Sequence, residues 1–578
     1  MNTDKAPSQE KKRPRSLEEN RRSKRQRNLA SGLLLAIVLV GAALRLIQYF
    51  ADPALYIDEI AVASNVLERN VWELLTTPLA YDQTAPKGFL LAVKLATSAF
   101  GSSDYALRLF PLICSLIALV GFWRVAERVC NGVGAPVALA LFATAIPFLF
   151  YAAQVKQYSA DIAVSVLLLW LALYLAQHDS TRPRALWAGA AGAVAVWFSQ
   201  PSVFVLTGLG AGLILIKRFA PVEGSRSFSW HRLVPVLTLW GVAIVAATLA
   251  GLASMTSATH DYMERVWVNG LLPLPVTRAV SLLWPWPQLQ RLFGDGTAAG
   301  LGYPAPELYI ALTGLGFWLL WRRRRNVALL LVTPLAVTLA AAVLRQYPFT
   351  DRLILFLIPS FILAMAVSVD WIWRLVASYS RVLAALALVI IVTPAIDATI
   401  ATPPVYQMEN IKPVLAHLQA KRLPTDAVYV FYGAGPAVTF YDAKYGLSET
   451  EYVLGGCHRG DSRRYLEELD MFRGYKRFWV VITHALSMYR EREDILRYLD
   501  TIGARHESLI VPAQTVDNLG WPAEVFLYDL SDPERLGNAL ANSFELTGPS
   551  SVNPRFACDY GPQAMISRLA PNSSPMRR

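Results

Sequence analysis

Along the chain, long apolar runs alternate with short segments that collect the charges. The first run, Leu29 to Phe50, has about the length a membrane-crossing helix needs, and it ends shortly before two adjacent carboxylates, Asp58 and Glu59. Further runs of this kind cover Tyr105 to Val125, Ala135 to Tyr151, Tyr158 to Ala176 and Leu233 to Ala253. Later ones cover Leu308 to Trp321, Val327 to Leu344, Leu353 to Val369 and Val382 to Thr399. Ala185 to Lys217 is broken at Ser199-Gln200-Pro201 and reads as two short spans joined by a tight turn. The pattern predicts about eleven transmembrane helices between residues 29 and 399. Two long segments interrupt it: residues 51–104, with an amphipathic helix around Phe89 to Phe100, and residues 254–306, dense in Trp and Pro. The second reads as an interfacial anchor or as a lid over a site, and the two are compatible.

From Ala401 the periodicity changes. Ala427 to Tyr432 and Phe478 to Ile482 are short β-branched and aromatic runs expected as buried strands, Glu491 to Leu499 reads as a helix and Glu524 to Leu530 as a late strand. Gly433-Ala434-Gly435-Pro436 reads as a strand-to-helix turn, because a nucleotide loop would need a third glycine. The fold expected is a polytopic α-helical membrane protein with a soluble α/β domain at residues 400–552 and a loosely ordered tail at 553–578.

Composition agrees: 54% of the 578 residues are hydrophobic and 17% charged, where soluble chains have roughly 45–50% and about 25%. The net charge of +11 is concentrated. Residues 1–28 hold ten Lys/Arg against four carboxylates, and Arg322 to Arg325 form a second basic block. Placed directly before a span, the basic N-terminus reads as a disordered cytoplasmic tail obeying the positive-inside rule, and nucleic-acid binding is set aside. The first run exceeds the roughly 7–15 apolar residues of a signal peptide and is expected to be retained. An odd number of spans then puts the C-terminal domain outside the cytoplasm, on the far side of a plasma (inner) membrane. There Cys457 and Cys558 are free to pair. Cys114 and Cys130 read as packing residues.

The same topology brings the chemistry to one side. Asp58, Glu59, Asp82, Lys87, Lys156, Tyr158, Arg345, Tyr347, Asp351 and Arg352 all fall at the outer boundary. Taken singly, Asp58 and Glu59 could mark only a solvated helix end, and Arg345 and Arg352 only headgroup contacts. Lys94 and Arg108 read as structural. His260, Asp261 and Glu264 lack a metal-ligand spacing, and a divalent cation stays open.

The order of these motifs resembles the GT-C superfamily of membrane glycosyltransferases, especially protein O-mannosyltransferases and lipid A aminoarabinose transferases. Leu55-Tyr56-Ile57-Asp58-Glu59 resembles their acidic first outer loop, Asp82 to Leu91 the Pro-containing segment after it, and Gly101 to Leu109 the entry to the second span. Gln154-Val155-Lys156-Gln157-Tyr158 corresponds to a Glu-x-Arg-x-Tyr pattern, and Tyr347 to Arg352 to a loop that contacts lipid phosphate. Gln154 and Lys156 depart from that pattern, and lysine lacks the bidentate fork of arginine.

The resemblance implies an enzyme that moves a sugar from a polyprenyl-phosphate donor, with inversion, to an acceptor hydroxyl, amine or phosphate on a lipid, glycan or protein. Asp58 is then the first choice of base, with Glu59 or Asp82 orienting the acceptor or holding a cation. Lys87, Lys156, Tyr158, Arg345, Tyr347 and Arg352 are the donor-phosphate set. The competing readings are a lipid-linked sugar flippase, which would favour charges at the membrane midplane, and a non-catalytic assembly protein.

Overall fold

In the computed structural model, which describes residues 17–548 except 178–180, 220–228, 277–278, 297–298, 401–404, 460, 516–519 and 539, every expected span is helical. The chain runs α1 (Leu17–Phe50), α2 (Ile57–Glu68), α3 (Val71–Thr76), α4 (Lys87–Phe100), α5 (Asp104–Val129), α6 (Gly134–Thr144), α7 (Ile146–Phe150) and α8 (Tyr158–Gln177). It continues through α9 (Arg182–Ala195), α10 (Ser202–Phe219), α11 (Trp230–Ala253), α12 (Ser257–Val266) and α13 (Pro285–Gly294). The last helices of this part are α14 (Pro306–Arg323), α15 (Arg325–Val343), α16 (Ile358–Ala377) and α17 (Arg381–Ile400).

Among the described residues, 8 helical segments are long and apolar enough to cross a membrane, or up to 9 if the bent α6 and α7 with Tyr151–Ala153 count as one span. This is a multi-pass membrane protein. Two of the expected spans fall outside that number for physical reasons. With 14 residues, α9 reaches only about 21 Å against a hydrocarbon layer of roughly 30 Å. α14 carries Glu307, Arg322 and Arg323 within its own length. At the N-terminus α1 starts at Leu17, so the expected tail is helical as far as it is described. Residues 1–16 and the expected tail 553–578 lie outside the described residues.

Packing follows the apolar faces. α5 lies along α8, α10 along α15, and α9 along α11. α16 is enclosed nearly all round, whereas α17 is open on most of its surface and faces lipid. α14 meets α16 at Gly316, where any side chain would run into the Ala364 carbonyl, so the two backbones cross in direct contact. At the opposite end of the bundle from Asp58, the Arg324 guanidinium donates to the carbonyls of Val129 (2.9 Å) and Arg128 (2.8 Å) at the end of α5. The basic block Arg322 to Arg325 therefore meets the end of α5, on carbonyls that a helix C-terminus leaves free.

One break matters for the site. α6 and α7 are bent by 54° around Ala145, where Pro147 lacks the N–H that would continue the first helix. The chain then passes through the Tyr151–Ala153 turn into Gln154–Gln157, and so turns inward before α8 begins.

The C-terminal domain contains α18 (Lys412–Lys421), α19 (Gly435–Tyr441), α20 (Ser462–Asp470) and α21 (Glu491–Ile502) around five strands. These are β1 (Ala427–Val430), β2 (Val453–Leu454), β3 (Phe478–Ile482), β4 (Ala504–Val511) and β5 (Ala523–Asp529), in the order β2-β1-β3-β5-β4. β2, β1 and β3 are parallel, and β5 and β4 join antiparallel. The expected strands β1, β3 and β5 are the buried ones. β4, which was not expected, is an edge strand of alternating exposure in which Arg505 to Ser508 are polar. Cys457 is disulfide-bonded, and Cys558, its expected partner, lies outside the described residues. Cys114 and Cys130 are free and buried.

The domain is fastened to the first outer loop. Lys412 Nζ pairs with Asp52 at 2.9 Å and Asp104 at 2.7 Å, and the Tyr441 hydroxyl donates to Asp104 (2.6 Å) while accepting from the Leu55 N–H (2.9 Å). The Gln48 side-chain amide and the Tyr406 peptide exchange two hydrogen bonds, each 2.7 Å.

Candidate active site

Asp58 and Glu59 occupy the first turn of α2, where the helix dipole and free N–H groups favour carboxylates. Neighbouring side chains on a helix diverge by about 100°, and the two acids go to different partners. Glu59 is fully buried. Arg108 from α5 holds it with Nε at 3.1 Å and Nη2 at 3.0 Å, and the Val155 N–H adds a bond of 2.9 Å. The same guanidinium donates to the carbonyls of Pro53 (2.7 Å) and Ala54 (3.3 Å). Burial pushes the Glu59 carboxyl up and Arg108 pulls it back. Both oxygens of Glu59 are thus engaged in joining α2 to α5 and to the segment before α8.

Asp58 faces the other way. Its Oδ2 accepts from Arg352 Nη1 at 2.7 Å. Burial alone would raise its proton affinity, but Arg352 and then Lys156 outweigh that and bring the Asp58 carboxyl down to about 2. Arg352 reaches it across 294 positions of sequence because the Tyr347–Thr350 loop turns sharply: Arg345 (φ +57°) and Asp351 (φ +45°) both adopt the left-handed backbone that residues other than glycine seldom take. The guanidinium sits 5.3 Å from the Trp267 ring and 5.9 Å from the Tyr158 ring, within cation–π range. Its Nε is buried without a hydrogen-bond partner among the described residues.

Lys156 is also buried and donates to Gln83 Oε1 at 2.8 Å. Burial lowers its proton affinity to about 8, against the pull of Asp58. Tyr158 packs on Tyr151 with ring centres 4.5 Å apart. Together these place one carboxylate, two cations and a wall of aromatic rings in one pocket. A pocket of this kind suits an anion that needs a nearby proton acceptor.

The other predicted residues take supporting positions. Lys87 donates to the Leu74 carbonyl (3.2 Å) with Arg69 as its charged neighbour. Arg345 binds the Leu272 carbonyl (3.0 Å) and pairs with Glu264 (2.9 Å), and so ties its loop to the Trp/Pro segment. Tyr347 braces the same loop by donating to the Leu353 carbonyl at 2.7 Å. Asp82 follows Tyr81 in left-handed backbone (φ +51° and +63°) and is an electrostatic neighbour of Tyr262. Lys94 donates to Val66 (2.8 Å) and Leu67 (3.4 Å) at the end of α2, a structural position. No group of three or more His, Cys, Asp or Glu among the described residues is arranged to hold a metal ion.

The 254–306 segment lies directly on the 347–352 loop. Phe349 N–H donates to the Gly270 carbonyl (2.7 Å) and Thr350 to Gln288 (2.5 Å). The segment thereby delivers Trp267 to Arg352, and Tyr262 lies within electrostatic reach of Asp58. Tyr151, Tyr262, Gln83 and, from the C-terminal domain, His484 were not anticipated at the site. The one sequence signal pointing to Tyr262 was the aromatic content of the 254–306 segment.

Compared with known proteins, residues 85–248 match the family model described as dolichyl-phosphate-mannose-protein mannosyltransferase. That description names one of the two enzyme groups the sequence motifs resemble. No curated protein matches the chain. Among solved structures, ArnT from Cupriavidus metallidurans in the apo state is similar at 13% identity with a TM-score of 0.46, over 87% of this chain and 99% of that one. The same protein bound to undecaprenyl phosphate gives 13% and 0.44, over 88% and 99%. The archaeal oligosaccharyltransferase AglB from Archaeoglobus fulgidus, in complex with an inhibitory peptide and a dolichol-phosphate, gives 11% and 0.43, over 82% and 72%.

Proposed function

We propose that the protein is a membrane glycosyltransferase that takes a sugar from a polyprenyl-phosphate donor and passes it to an acceptor hydroxyl on the extracytoplasmic side. The observation that carries this reading is the Asp58–Arg352 pair with Lys156 beside it. The family-model match over residues 85–248 supports the reaction class. The description of that family also supports the lipid-phosphate form of the donor.

In the resting pair, Asp58 is a poor base because Arg352 and Lys156 stabilise its charge. A donor phosphate entering the pocket competes for both cations and adds negative charge, and each effect raises the proton affinity of Asp58. The acceptor oxygen then attacks the anomeric carbon. The new C–O bond forms as the bond to the phosphate oxygen breaks, the hydroxyl proton passes to Asp58, and the departing polyprenyl phosphate keeps the electron pair. Arg352 and Lys156 hold the charge that develops there, and one displacement inverts the anomeric centre. Glu59, engaged by Arg108, fixes the direction in which Asp58 points. Transfer from a panel of radiolabelled polyprenyl-phosphate sugars, in membranes carrying the wild type and Asp58→Asn, tests the assignment.

Two expected outcomes extend the test. Because Lys156 loses its proton near pH 8, the KM for the donor should climb as pH rises through that value. Lys156→Arg should move the climb out of the measurable range. A wild-type KM that stays level from about pH 7 to pH 9.5 contradicts a phosphate-binding role for Lys156. Sidedness is checked separately: reporter fusions after Asn70 and Thr425 should both report outside the cytoplasm, and a cytoplasmic signal from either removes the far-leaflet reaction.

A further inference from the structure

The order β2-β1-β3 reverses direction at β1, since the chain leaves β1 for β2 on one side and returns to β3 on the other. Open α/β sheets bind ligands in the crevice beyond the carboxyl ends of two strands at such a reversal. Here residues 431–434 after β1 and residues 483–485 after β3 stand at that place, nearly all of them buried. Gly433 lets the two segments touch: a Cβ there would stand 2.7 Å from the Thr483 carbonyl oxygen and 3.0 Å from that of His484. α19, which follows the first segment, packs on α2, the helix that carries Asp58.

In the second of these segments His484 is buried in left-handed backbone (φ +55°), a conformation that a side chain other than glycine keeps only where its surroundings impose it. Its ring is held on two sides. Nδ1 lies 3.3 Å from Glu409, itself buried and also bonded by the Thr483 hydroxyl at 3.4 Å, and the Trp521 ring lies over the imidazole at 3.8 Å. A carboxylate only accepts, so Nδ1 carries the proton in that bond and Nε2 is the accepting atom of the neutral ring. Among the described residues Nε2 has no hydrogen-bond partner, and the ring is within electrostatic range of Asp58.

Resting on the glycosyl-transfer reading, we infer that the switch-point end of the C-terminal sheet, beside α2, forms the acceptor subsite and that His484 is its specificity-determining residue. Nε2 accepts a hydrogen bond from a hydroxyl of a hydroxyl-bearing acceptor whose reacting oxygen lies at Asp58. Glu409 and Trp521 are positioning residues that act through the imidazole.

The test uses the full-length enzyme with a saturating radiolabelled polyprenyl-phosphate sugar and an extract of cell-envelope lipids and glycans as acceptor. Binding of undecaprenyl phosphate is measured separately. His484→Asn suits the purpose: asparagine accepts left-handed backbone and its amide can still donate to Glu409, so Nε2 and the ring face on Trp521 are lost while the bond to Glu409 is kept. The half-saturating extract concentration should rise about tenfold, the scale of one lost hydrogen bond, while undecaprenyl phosphate affinity and thermal stability stay level. Should the Asn variant lose its fold, Trp521→Ala, which frees the ring without touching the strained turn, carries the same comparison. Unchanged half-saturation overturns the inference and leaves the glycosyl-transfer reading standing. A parallel loss of undecaprenyl phosphate binding assigns His484 to structure and also overturns it. A wild type that transfers from no donor in the panel overturns both.

Discussion

Asp58→Asn should cut the turnover of sugar transfer by about 10²–10⁴-fold, the usual contribution of a positioned proton acceptor, without raising the KM for the donor. The asymmetry follows from the pair itself. Asparagine is close in shape and still accepts a hydrogen bond from Arg352, so the loop holding that arginine stays in place. The negative charge that competes with a donor phosphate is gone, so lipid-phosphate binding stays level or tightens. Arg352→Gln has the opposite signature: it removes the cation opposite the leaving group, and both turnover and donor affinity should fall. Initial rates at varied donor concentration, with undecaprenyl phosphate binding measured alongside, separate the two variants. Equal transfer by the wild type and Asp58→Asn would eliminate Asp58 as the base, and a rise in donor KM alone would make it a phosphate-site residue.

The second large effect concerns stability. Glu59 and Arg108 are both buried and bonded to one another through two nitrogens, with peptide groups completing the set. Removing one member strands the other charge away from water, which costs about 3–5 kcal/mol. Glu59→Leu and Arg108→Met should each lower thermal stability in detergent by a margin of that size and reduce the yield of folded protein. The double variant leaves no orphaned charge, so it should be considerably more stable than the sum of the two single losses implies. Additive losses in the double variant would show that the guanidinium matters chiefly through its bonds to Pro53 and Ala54.

Much of this architecture is legible in the sequence because the bilayer imposes it locally. The apolar runs, the acid pair after the first of them and the basic marks at alternate ends each follow from a few consecutive residues. β1, β3 and β5 were legible for the same reason, being continuous apolar strands. Arg352 could be grouped with Asp58 from the sequence but not paired with it, since their contact spans 294 positions and depends on two left-handed residues flanking the Tyr347–Thr350 loop. Asp58 and Glu59 look equivalent on paper. Only the helix start separates them, by turning one toward α5 and the other toward the pocket. Lys87 and Arg345 were grouped with the donor-phosphate set, but Lys87 donates to the Leu74 carbonyl and Arg345 to the Leu272 carbonyl and Glu264. His484 carried no sequence signal, because a lone histidine after a buried strand is more often a packing residue.

The reciprocal contact between the Gln48 amide and the Tyr406 peptide mimics one rung of a strand ladder at the point where the soluble module meets the first helix. With Lys412 anchored on Asp52 and Asp104 as well, the module is riveted rather than hung. A second substrate that reached Asp58 by prising the module upward would have to rupture all four of these contacts together. Any acceptor for the proposed transfer therefore has to reach Asp58 with the module still seated on the first outer loop.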